Sequence, residues 1–190
     1  CKGCEGCSAC CRGMGKSIVL DPLDVHRLTT GLGVPFEALL SQHIELNVVD
    51  GLILPNLKMT ESAYACPFLN GQGRCSIHAY RPGICRLFPL GRFYENDSFR
   101  YFLQVHECPK PSKAKIKVYK WLDTNDIHTY EQFTSDWHYF LKALQERIAG
   151  IEDQTQIRSI CMYVLQQFYL APCEDFYEAF HGRLNEAKRH

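Results

Sequence analysis

Cys1, Cys4, Cys7, Cys10 and Cys11 place five of the chain's eleven cysteines in its first eleven residues, separated by small side chains that leave the sulfurs accessible. Thiolates two residues apart can curl around one soft ion. Disulfides between such near neighbours are strained, because bridged Cα atoms need a separation of about 4.4–6.8 Å. The spacing therefore reads as a ligand loop. Cys66, Cys75, Cys85 and Cys108 are spread through the middle of the chain and offer the donors that complete it. Adjacent side chains in an extended or turning backbone are expected to point apart, so Cys10 and Cys11 suggest two metal positions, or one cluster and a spare thiolate.

Arg81 and Arg86 flank Cys85, where guanidinium groups can offset thiolate charge and donate hydrogen bonds to sulfur, so both are candidate cofactor-binding residues. His78 and His106, close in sequence to Cys75 and Cys108, are candidate nitrogen donors. Cys161 falls on the apolar stripe of a predicted helix and Cys173 follows Pro172 at a helix start, so both read as structural thiols. Cys1, Cys4, Cys7 and Cys11 fit the C-x2-C-x2-C-x3-C run of two-cluster ferredoxins. Arg12, however, stands where that run has proline, and no second copy follows. A tight cysteine run completed from a distance favours an iron–sulfur centre such as 4Fe-4S over zinc, whose sites more often pair two C-x2-C knuckles. Thiol–disulfide exchange could use the closely spaced cysteines, but it does not explain why so many are present.

Three motifs occur in order: Cys4-x2-Cys7-x2-Cys10-Cys11, then Cys66-Pro67-Phe68-Leu69 with Cys75-Ser76-Ile77, then Arg81-Pro82-x2-Cys85-Arg86-x-Phe88-Pro89. On these motifs the chain from about residue 4 to residue 109 resembles the YkgJ-type cysteine-cluster (CxxCxxCC) family, a zinc- or iron-chelating domain whose relatives include flagellin lysine N-methylases. The resemblance implies a metal-binding protein with eight thiolate ligands, Cys4, Cys7, Cys10, Cys11, Cys66, Cys75, Cys85 and Cys108, and leaves Cys1 outside the motif. His78 stands where the family often has Tyr. The alternative it implies is a protein lysine N-methyltransferase using S-adenosylmethionine on a protein substrate. Residue patterns give that alternative little, and no catalytic residue can be named. Gly31-Leu32-Gly33 follows a helix and Gly71-Gln72-Gly73 lies in the cysteine-rich loop, so neither is a strand-to-helix nucleotide turn. Cys7-x3-Cys11 is followed by Met14, not by a third cysteine.

The elements that must position these thiols can be read from spacing. Gly15–Leu20 contains a short β-branched run that suits a strand. Asp21-Pro22 then supplies an N-cap and a first-turn proline for a helix ending at Gly31 and Gly33. Pro35 opens a second helix with Phe36, Leu39, Leu40 and Ile44 as its stripe, and a strand is expected around Leu52–Leu54. Residues 66–92 read as an irregular structured loop. Arg92–Tyr94, the turn at Asn96-Asp97 and alternation from Phe99 to Val105 predict a β-hairpin leading to Cys108. Beyond Pro111, three amphipathic helices carry Tyr130 to Ile148, Ile157 to Phe168 and Phe176 to Leu184. The expected fold is α+β: an irregular cysteine-rich metal-binding core with a few short helices and a hairpin, covering residues 1–112, followed by a C-terminal helical layer, residues 113–190, packed on it as one unit.

Composition narrows the partners. With 21 basic and 21 acidic residues the chain has no net field to collect nucleic acid or anionic membrane. The five lysines from Lys110 to Lys120 read as a solvated face. No run of 18 or more apolar residues suits a membrane span. A 190-residue chain buries a core without disulfide staples, and an odd cysteine count fits a reduced, cytoplasmic setting. The chain starts at Cys1 instead of Met, so a preceding segment is expected. Metal ions are the expected partners, with a protein substrate or partner besides.

Overall fold

The computed structural model describes residues 7–62, 64–108, 115–124 and 126–189. Cys1 and Cys4, together with Lys110 and Lys113 of the lysine run, lie outside the described residues. The fold is α+β, as expected.

Helix α1 (Pro22–Leu32) starts where the sequence places it. Asp21 accepts from the Asp24 N–H at 2.8 Å, Asp24 accepts from the Asp21 N–H at 3.2 Å, and Pro22 takes the first helical position. This reciprocal capping satisfies two donors that helix starts otherwise leave unpaired. Gly33 ends the helix in the left-handed region at φ 67°, whereas Gly31 stays inside it with Tyr80 packed against its bare Cα. Helix α2 (Phe36–Gln42) opens at Pro35 but stops before Ile44, the last member of its predicted stripe. Ile44 instead begins strand β1 (Ile44–Val49), paired antiparallel with β2 (Leu52–Leu57). The turn between them is Asp50-Gly51, both at positive φ, and an Asp-Gly pair flanked by β-branched residues is a strong hairpin signal that outweighs the helical spacing.

Ile18–Leu20 runs along the other side of β2: the Leu57 N–H donates to Ile18 O at 3.0 Å and the Leu20 N–H to Pro55 O at 2.8 Å. The chain that leaves the cysteine loop is thus tied to a buried strand. A short helix α3 (Gly83–Leu87) follows the central loop, and then β3 (Leu90–Glu95) and β4 (Ser98–Leu103) form the predicted hairpin, with Asn96 and Asp97 both left-handed at the turn. A further short helix, α4 (Val118–Leu122), was not apparent from spacing.

The C-terminal layer consists of α5 (Ile127–Ala149), α6 (Gln154–Val164), continued by a π-helical stretch Leu165–Leu170, and α7 (Phe176–Ala187). Asp126, Asp153 and Asp175 cap their starts by accepting backbone N–H groups. Phe133, Trp137, Phe140, Phe168 and Phe180 form an aromatic cluster continuous with Leu20, Val25, Leu28, Leu52 and Leu54 from the N-terminal half. The Tyr169 hydroxyl donates to Leu20 O at 3.0 Å, joining the two halves with a buried polar contact. Cys161 is buried on this layer, its sulfur accepting from the Ile53 N–H, as suits a structural thiol. Among the described residues no helix is long and apolar enough to cross a membrane.

Candidate metal centre

Three backbone segments carry cysteines to one place. Cys10 and Cys11 end a single 3-10 turn, Ala9–Cys11. The chain then pairs with the segment before Cys66: Arg12 bridges Ala65, the Gly13 N–H donates to Tyr64 O at 2.7 Å, and the Cys66 N–H donates to Cys11 O at 2.8 Å. From Cys66 the chain folds back on itself. Asn70 Oδ1 accepts from the Gln72 and Arg74 N–H groups, Gly73 adopts a φ of 71°, and Leu69 bridges Cys75. Asparagine side chains that take backbone N–H groups in this way make compact turns. The third segment is α3, whose first residue Gly83 donates its N–H to Asp24 Oδ1 at 2.6 Å, fixing the helix that carries Cys85 against the cap of α1.

Cys10, Cys11, Cys66, Cys75 and Cys85 line one cavity of about 570 Å³, together with Arg81. Among the described residues no three His, Cys, Asp or Glu side chains are close enough to form a ready ion-holding group, so the five thiols surround a common space without closing on a point. Cys7 and Cys108 are half-buried and do not line this cavity. Neither do His78 and His106, both exposed. Cys173 lies elsewhere, its sulfur 3.8 Å from His26 Nδ1.

Cys10 and Cys11 both sit on the same 3-10 turn, where adjacent side chains are about 120° apart, and both line the cavity. The neighbouring Cys11 side chain, with burial, pushes Cys10 well above the usual thiol range, and Cys10 in turn lowers Cys11. Burial pushes Cys66 and Cys75 up, opposed by the backbone N–H groups of Phe68 and Ile77, each two residues along. Cys85 is pushed up by burial and by the Asp24 carboxylate. The sulfurs also raise one another, whereas the Arg81 guanidinium lowers Cys10, Cys75 and Cys85. Thiolates gathered on this cavity would need positive charge beyond that of Arg81, which a soft metal ion would supply. The donor set fits zinc or iron.

Arg86 faces away from the thiols. Its guanidinium donates to the carbonyls of Arg81, Ala79, Leu122 and Asp123, pinning α3 to the end of α4. Asp24 was missed from the sequence. Its signal was the Asp-x-x-Asp spacing of the α1 cap, which brings a buried carboxylate to the edge of the cavity. Arg92, Thr134, Trp137 and His138 also line the cavity, and nothing in their local pattern marks them.

Residues 3–124 match the family model CxxCxxCC, described as "Putative zinc- or iron-chelating domain". The chain belongs to the CxxCxxCC family. No curated protein and no solved structure matches it. All five cavity thiols of this CxxCxxCC chain fall within the matched span, which stops short of α5. Part of the cavity wall therefore comes from a helix outside the family domain.

Proposed function

We propose that this protein holds a zinc or iron centre on Cys10, Cys11, Cys66, Cys75 and Cys85, completed from the loop that carries Cys4 and Cys7 and from Cys108. The observation that carries the reading is that five thiols from three separate segments line one cavity and perturb one another's protonation. Arg81 offsets the thiolate charge, while the N–H groups of Phe68 and Ile77 orient Cys66 and Cys75. An iron–sulfur centre would supply one-electron redox chemistry, and zinc a rigid cross-link. Iron–sulfur is the preferred form, since one tight cysteine run is completed from distant positions. Eight candidate thiolates exceed the four that one zinc ion or one cubane takes, which leaves donors for a second metal position. Lysine methylation is not proposed, since no residue around the cavity points specifically to S-adenosylmethionine.

Anaerobic purification followed by metal and sulfide analysis and an absorption spectrum tests the reading. Iron with matching sulfide and a thiolate-to-iron charge-transfer band supports the cluster, and stoichiometric zinc without colour supports the zinc form. Neither metal in the purified protein sinks both. Replacing Cys10 and Cys11 separately with Ser counts the positions: loss of the same metal equivalents in both variants means one shared centre, and unequal losses mean two.

A further inference from the structure

The cavity that gathers the thiols is far larger than a metal ion requires. Its volume, about 570 Å³, lies in the range of small-molecule sites, roughly 300–1,000 Å³, which are mostly apolar with a few placed polar groups. Its wall fits that description. Leu20, Leu57, Leu87, Trp137 and Leu141 contribute apolar surface, and His138 is stacked on Tyr94 with ring centroids 3.5 Å apart and planes 8° from parallel.

Arg92 enters this wall from β3 with a Tyr130 hydroxyl on one terminal nitrogen at 2.7 Å and the Phe99 and Tyr130 rings beneath its guanidinium. Its Nε is buried and has no hydrogen-bond partner, and the ion pairs of the described residues do not include it. The hydroxyl of Thr134, on α5, is buried at 5% exposure and likewise has no partner. A buried donor left unmade costs about 1–3 kcal/mol, more when charged, and three lie on this cavity: Arg81 Nε on the cysteine side, and Arg92 Nε and the Thr134 hydroxyl, which mark a place where a ligand's acceptors belong. Asp21 and Asp24 line the same cavity, but both carboxylates are engaged by backbone N–H groups, of Asp24 for the first and of Asp21 and Gly83 for the second.

We propose that the cavity also binds a small organic carboxylate with a flat apolar body, its oxygens taken by Arg92 Nε and the Thr134 hydroxyl and its body packed on Trp137, beside the metal centre. Only the adjacency to metal rests on the metal-binding reading, because the anchoring residues belong to none of the cysteine segments.

The experiment uses three probes of one shape and different charge, 3-phenylpropionate, 3-phenylpropionamide and 3-phenylpropylamine, each titrated calorimetrically into the metal-loaded protein. The acid should bind saturably, at least about tenfold more tightly than the amide, with the amine no tighter than the amide. Arg92→Lys keeps the charge but loses the guanidinium fork and should weaken the acid by about tenfold. Thr134→Val, of nearly the same shape, should weaken it about threefold or more at unchanged metal content, and carries the test if Arg92→Lys does not fold. Amide or amine binding as tightly as the acid, or unchanged acid affinity in both variants, overturns the proposal. Metal-loaded protein that binds no acid also overturns it while leaving the metal reading standing.

Discussion

Gly83 donates its backbone N–H to Oδ1 of Asp24 at 2.6 Å, so the carboxylate that closes the cap of α1 also anchors the helix that carries Cys85. A side chain at Gly83 has no room: its Cβ would lie 2.9 Å from the Tyr130 hydroxyl and 3.4 Å from Asp24 Oδ1. Gly83→Ala should therefore destabilise the fold by about 1–3 kcal/mol, seen as a fall of roughly 2–4 °C in Tm per kcal/mol, and should weaken metal retention in a chelator-competition assay. Asp24→Ala should cost about 1–3 kcal/mol by orphaning the N–H groups of Asp21 and Gly83. Asp24→Asn, which keeps an acceptor, should cost clearly less.

Arg86 separates two kinds of charge contact. It is buried at 5% exposure and donates to four backbone carbonyls, while its ion-pair partner Asp123, at 3.6 Å, is 79% exposed. Arg86→Lys should cost on the order of 2–3 kcal/mol in urea unfolding, because an ammonium cannot reach those carbonyls together. Asp123→Asn should move stability by less than about 0.5 kcal/mol, because an exposed pair is screened.

His138 supplies a pH-dependent term with a definite sign. Burial, and then Lys142, lower its pKa below the ordinary histidine value. The folded state thus binds fewer protons at this position than the unfolded state, and stability rises with pH until the unfolded histidine, at about 6.5, is neutral. Stability measured between about pH 5 and pH 8 should fall towards the acid end, and His138→Gln should flatten that difference when the two proteins are compared under identical metal loading.

Cys161 and the cavity thiols should part company on mutation. Cys161 is buried against β2 and touches no cavity residue through its sulfur, which accepts from the Ile53 N–H. Cys161→Ala should keep full metal equivalents and lose about 1 kcal/mol of stability. Cys66→Ser should lose metal, read by elemental analysis of the purified variant.

The parts of the fold that were legible are those set by local chemistry. Asp21-Pro22 and Gly33 bounded α1, Asn96-Asp97 fixed the second hairpin, and three apolar stripes gave the C-terminal helices. Ile44 was misplaced because its spacing continued the α2 stripe, and only the Asp50-Gly51 turn and the pairing with Leu57 pull it into a strand. The cysteine segments were found by spacing, but the 3-10 turn that carries Cys10 and Cys11 to the cavity wall was not, because three residues give no period to read. Arg92, Thr134 and Trp137 were invisible as site residues. Strand and helix periodicity explains each of them locally, and their shared cavity arises only when β3 and α5 come together.

The backbone pairing of Cys11 with Cys66 closes a long loop of chain. Bringing two donors together across a long intervening chain normally costs loop-closure entropy, which metal-dependent folds recover only when the ion binds. Here hydrogen bonds from Gly13 to Tyr64 and from Cys66 to Cys11, continued by Ile18–Leu20 along β2, make that closure part of the folded chain. The segments that carry Cys11 and Cys66 are thus joined by main-chain hydrogen bonds in addition to whatever a bound ion would contribute.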